Sequence, residues 1–113
     1  MPRYLISFND GAMDVPEEDL PEVGKAGHTV IQEAKDAGVF VFAGGLDYDL
    51  EHAVVAVNGT VTDDPYPQSK ELIGGVTIVD VPTHKAALEW AAKIAAACRC
   101  AQDVRTFMHD PDV

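Results

Sequence analysis

Val61-Thr62-Asp63-Asp64-Pro65-Tyr66-Pro67-Gln68-Ser69-Lys70-Glu71-Leu72-Ile73-Gly74-Gly75-Val76-Thr77-Ile78-Val79-Asp80-Val81 takes an acidic loop, stiffened by two prolines, straight into a β-strand. Pro65 and Pro67 fix φ and remove two amide donors, so no central ladder can run through them. From Gly75 to Val81 the residues are apolar or β-branched, which marks a strand. Pro82-Thr83 then opens a helix on which Ala87, Trp90, Ala91, Ile94 and Cys98 share one face. A last strand runs from Ala101 to Met108.

Upstream of the loop, Arg3 to Phe8 alternates, with Tyr4, Ile6 and Phe8 on one side, and stops at Asn9-Asp10-Gly11. Pro16-Glu17-Glu18-Asp19 is a helix start, because proline suits the first turn and carboxylates interact well with the open amides there. Pro21 can delay it. From Glu22 to Ala37 the stripe Val23, Gly27, Val30, Ile31 and Ala34 has helical spacing, and Gly38 supplies the stop. Val39-Phe40-Val41-Phe42-Ala43 is a central strand covered on both faces. Gly44-Gly45 and Gly74-Gly75 read as strand punctuation. A strand from His52 to Val57, the hairpin signal Asn58-Gly59 and the return Thr60-Val61-Thr62 complete the pattern.

The order is β-α-β-β-α-β with a small extra hairpin: an α+β, ferredoxin-like split βαβ fold with an antiparallel sheet and a single domain over 1–113. One face of that sheet takes both helices. The other carries Val39 and Val41 or Phe40 and Phe42, together with Val76 and Ile78 or Val79 and Val81. That is more apolar surface than two short helices hide. It calls for a second sheet, met most simply by an isologous homodimer.

Eight basic against nineteen acidic side chains give a net charge of −11, a field that repels phosphate backbones and anionic lipid. Nucleic acid and membrane surfaces are therefore excluded as partners. The acidic residues are spread over loops and helix ends, as solubility alone would arrange them. No apolar run approaches the ~18 residues of a membrane span, and the short apolar stretch near Met1 does not resemble a signal peptide. Cys98 and Cys100 lack redox or zinc spacing and are expected as reduced thiols in a cytoplasmic protein. Asp47-Tyr48-Asp49-Leu50-Glu51-His52 alternates carboxylates without the glycine of a calcium loop, and His84 and His109 have no partner at metal-ligand spacing. No metal and no cofactor are expected, since nucleotide, flavin and nucleophile-elbow motifs are all missing.

Asp63-Asp64-Pro65-Tyr66, Lys70-Glu71, Ala87-Leu88-Glu89-Trp90-Ala91 and Val104-Arg105 together resemble the YCII-related (DGPF) family, at its Asp-Gly-Pro-Phe, K-E, A-L-E-W-A and V-R positions. Asp64, Tyr66 and Gln68 replace that family's glycine, phenylalanine and glutamate. The resemblance implies a dimeric α+β barrel and a histidine on the first helix, matched by His28 ahead of Ala43-Gly44-Gly45. In some members that histidine pairs with an aspartate, and a related enzyme removes chloride from a chlorinated hydroxymuconate.

An imidazole held by a carboxylate is a competent base near neutral pH. The expected catalytic set is His28 with Asp63 or Asp47, and Arg105, Tyr66 and Lys70 would bind a small anionic organic substrate. Each residue also has a structural reading. His28 sits at the edge of its stripe and can turn to solvent, Asp63 can close an Asx turn, and Arg105 can pair with Asp63. Two functions follow: a cofactor-independent enzyme working by proton abstraction or elimination, or a non-catalytic ligand-binding or regulatory module, as relatives lying beside alternative sigma factors suggest. A third outcome is plain self-association around a filled, dry interior.

Overall fold

The computed structural model describes residues 2–47, 52–62 and 73–113. Strand β1 (Arg3–Asn9) leads through a 3-10 turn (Glu17–Asp19) to helix α1 (Leu20–Asp36) and strand β2 (Phe40–Gly45). The hairpin β3 (Val54–Val55) and β4 (Val61–Thr62) precedes β5 (Ile73–Asp80), helix α2 (His84–Cys98) and β6 (Asp103–Thr106). The four long strands form one antiparallel sheet in the order β2-β5-β1-β6. This is the ferredoxin-like α+β arrangement expected, with both split-βαβ halves present.

Local chemistry explains where the elements start and stop. Proline at the head of α1 costs it no hydrogen bond. Gly38, at φ 75°, ends α1 in a Schellman motif: its N–H donates to the Lys35 carbonyl (3.0 Å) and the Val39 N–H to that of Ala34 (3.1 Å). Thr83 caps α2, its Oγ1 accepting from the Ala86 amide at 3.1 Å. Arg99 ends α2 in the left-handed region at φ 58°. Its guanidinium reaches Asp19 at 3.0 Å and Glu22 at 3.6 Å, which ties the end of α2 to the start of α1.

The core lies between the sheet and the helices. Tyr4, Ile6, Val79 and Val81 are buried against Ala87, Ala91 and Ile94 of α2, the alanines letting that helix approach closely. Helix α1 adds buried Val23 and Ala34. Lys93 links the two helices through Glu33 at 2.8 Å and lies over the Trp90 ring.

Four expectations change. Gly74 and Gly75 do not end a strand; they lie inside β5. A Cβ on Gly75 would stand 2.6 Å from the Phe8 ring, so the glycine makes room for an aromatic that covers it. Gly44 and Gly45 likewise belong to β2, opposite Val76 and Gly75. The strand expected over 52–57 contracts to two residues. There the Gly59 amide donates to Ala56 and the Ala56 amide to Thr60, a three-residue loop with Gly59 at φ 88°. The last strand ends at Thr106, and only the Phe107 amide continues the ladder, donating to the Arg3 carbonyl at 3.0 Å.

Ile6→Ala should lower unfolding stability by about 2–5 kcal/mol, because it opens a cavity where exposure is nil. Thr83→Ala should cost about 1 kcal/mol and Thr83→Ser much less. Urea melts followed by circular dichroism would check both.

Candidate functional site

With Tyr4, Ile6, Val79 and Val104 turned toward the helices, strand alternation sends Arg3, Leu5, Ser7, Val76, Ile78, Asp80 and Arg105 to the opposite face. The register agrees, pairing Leu5 with both Ile78 and Arg105. Strand β2 breaks the alternation. Phe40 pairs with Val79 and Phe42 with the next residue, Ile78, so Val41 is an inserted bulge residue. Phe40 therefore stays on the helix side under Lys35, while Val41 and Phe42 are both delivered to the open face, Phe42 55% exposed. Neither of the two expected alternations is followed.

At the end of the sheet where β1 begins, residues 107–111 and 113 stand over this face. They enclose a half-open cleft of about 1000 Å³ with Arg3, Val41, Ile78 and Asp80. Arg3 approaches the half-buried Asp80 at 3.9 Å, and Arg105 holds Asp103 at 2.8 Å in a largely solvated pair. The face is thus an apolar strip with two arginine–aspartate pairs on it.

The expected site residues are distributed differently from one another. His28 is exposed on α1, in the helical layer, and makes no hydrogen bond or ion pair with the described residues. Arg105 lies on the other side of the sheet from that layer, and its carboxylate neighbour is Asp103, two residues back on β6. Asp47 is exposed just beyond β2. Asp63, Tyr66, Lys70 and Glu71 lie outside the described residues, as do the Asx turn and the Asp63–Arg105 pair. Within one chain, then, His28 and Arg105 are not brought together. Sequence reasoning missed Arg3, His109 and the standing-off segment 107–113. The signal for Arg3 was its alternation with Leu5; the segment carried none, having been read in part as strand.

Among the described residues no cluster of three or more histidine, cysteine, aspartate or glutamate side chains could hold a metal. None of the described helices is long and apolar enough to cross a membrane. Cys98 and Cys100 are free thiols. Burial raises the Cys98 pKa above the ordinary thiol value, helped by the neighbouring Cys100, and burial also raises that of Cys100 against a hydrogen bond from Gln102.

The sequence model of the YCII-related domain matches residues 3–105, from the first residue of β1 into β6. The chain belongs to the YCII-related family. The match takes in both helices, the hairpin and all of the sheet but Thr106, and leaves residues 106–113 beyond its end. Comparison with the curated proteins finds no match. Membership in the YCII-related family therefore accounts for the fold, and the chemistry has to be argued from the face itself.

Because both thiols favour the protonated form, alkylation by iodoacetamide at pH 8 should be slower at Cys98 and Cys100 than at a free cysteine, and slowest at Cys98. Mass spectrometry of the labelled peptides would measure this, and unfolding in urea should abolish the difference.

Proposed function

We propose that this YCII-related protein works as a homodimer joined through its open sheet faces, and that it holds a small organic anion at the seam. The observation that carries the reading is the bare face itself, where Val41, Phe42 and Ile78 are presented beside Arg3 and Arg105. An exposed apolar strip of this kind is a partner surface. An arginine at its margin offers the planar, forked donor set that fits a carboxylate. Asp103 engages one arm of that fork at 2.8 Å, so binding exchanges one carboxylate for another. The free thiols fit a reducing, cytoplasmic setting.

A binding module is the function this geometry supports best. The catalytic reading keeps His28 as base, Asp63 or Asp47 as its orienting carboxylate, Arg105 as anion anchor, and Tyr66 and Lys70 as substrate contacts, with no cofactor. His28 is exposed on α1 with no carboxylate bonded to it among the described residues, so this reading requires Asp63 or Asp47 to reach its ring. His28 and Arg105 lie on opposite sides of one sheet, and a dimer joined through the open faces keeps them apart, which is why the binding reading comes first.

Sedimentation should find a dimer, and Phe42→Asp should give a folded monomer with unchanged circular dichroism. A well-folded monomer of the unaltered chain at high concentration would end the proposal. Thermal melts with a panel of small carboxylates should identify a stabilising ligand. Its effect should vanish in Arg105→Ala and persist or grow in Asp103→Asn. Turnover of that ligand, abolished by His28→Ala, would establish the catalytic reading; a ligand bound, never converted and indifferent to His28→Ala would establish the module.

A further inference from the structure

The segment after β6 is shaped but hardly attached. Among the described residues, its backbone hydrogen bond to the body is the one from the Phe107 amide to the Arg3 carbonyl. Its remaining bonds are internal: the Asp112 amide donates to Asp110 Oδ1 at 2.9 Å and the Val113 amide to the Asp110 carbonyl at 3.2 Å. The local turn is formed, yet the apolar side chains have nothing to cover them. Met108 is 93% exposed and Val113 fully so, with Phe107 at 45%. The segment stands off the sheet across the cleft instead of closing on Val41 and Ile78.

The dimensions of the bare face point to what the segment does. Four strands about 4.8 Å apart and at most roughly 20 Å long cover about 400 Å² in plan. A specific, stable interface buries about 800 Å² of accessible surface from each partner. Sheet against sheet alone therefore makes a small interface. The segment lies at one end of the same face, shares Val41 and Ile78 with it, and leaves the middle, around Leu5, Phe42 and Val76, open to stacking. Seven residues reach up to about 23–25 Å, enough to pass from one sheet onto a second packed about 10 Å away. Among the described residues no further layer covers the segment from outside, which is why Met108 and Val113 stay exposed.

We infer that residues 107–113 are a clasp for a second copy of this chain: Phe107, Met108 and Val113 close over the partner's bare sheet face and complete an interface that the sheets alone do not. The inference rests on the homodimer proposed above. It adds to it a surface that lies outside the YCII-related match, which ends at residue 105. By two-fold symmetry each copy gives one clasp and receives one.

The test places the photocrosslinking residue benzoylphenylalanine at position 108 of the full chain, where exposure leaves the fold undisturbed. Irradiation should give a covalent dimer on a denaturing gel, with the attachment mapped by mass spectrometry to residues 41, 42, 76 or 78 of the other copy. Removal of residues 108–113, which keeps the Phe107 bond to Arg3, should raise the dimer dissociation constant at least ten-fold in sedimentation equilibrium. A chain that sediments as a dimer but crosslinks only within itself, or not at all, overturns the clasp and leaves the homodimer standing. An unchanged dissociation constant after truncation overturns it as well. An unaltered chain that sediments as a monomer overturns the homodimer, and the clasp with it.

Discussion

A four-stranded antiparallel sheet has two faces, and this chain has helices enough for one. Burial of Ile6, Val79 and Val81 against the alanine-lined face of α2 supplies the core. Everything else follows from the face that is left. Among the described residues no other layer covers the apolar surface there, because both helices are already spent on the first side. At about 25 cal/mol per Å² of apolar surface, a few hundred Å² left in water is comparable with the whole net stability of a small domain. The same surface that weakens the isolated chain would drive the association proposed above.

The β2 bulge sharpens this imbalance. A regular strand would turn Phe40 and Phe42 to the same side, and the bulge at Val41 separates them. One aromatic stays under Lys35 on the helical side, while the other joins Val41 on the open face. A single inserted residue thus transfers apolar area from the core to the open face. Such placements are a recognised use of bulges, which redirect side chains at sheet edges. The glycines of β5 act in the opposite direction: by admitting the Phe8 ring over Gly75 they let one aromatic fill space inside the layer.

Charge governs the remainder. With a net charge of −11, two copies repel at long range, and in physiological salt that repulsion is screened within about 8 Å. The open face carries Arg3 and Arg105, each beside an aspartate, so it is close to neutral where copies would meet. Solvated pairs of this kind contribute little to stability. In the binding function proposed above their consequence would be specificity, since a carboxylate-bearing ligand competing with Asp103 for Arg105 would meet a donor set already oriented.

Much of this architecture was legible in residue order. The periodicities of Glu22–Ala37 and of the stretch after Thr83, the stop at Gly38 and the hairpin at Asn58-Gly59 are local signals, decided by sterics and by hydrogen bonds a few residues long. They hold whatever the rest of the chain does. The motifs Ala87-Leu88-Glu89-Trp90-Ala91 and Val104-Arg105 likewise led to the YCII-related family, since they pack or pair at set places in that fold. What residue order could not settle depends on contacts distant in the chain. The stop of α2 at Arg99 has no glycine to announce it, and the side chain there pairs with Asp19 and Glu22, some eighty residues earlier. Whether Gly75 punctuates a strand or seats an aromatic depends on Phe8 arriving across the sheet. That His28 and Arg105 lie on opposite sides of one layer depends on register, and register is set by which strands pair, which only the folded chain decides.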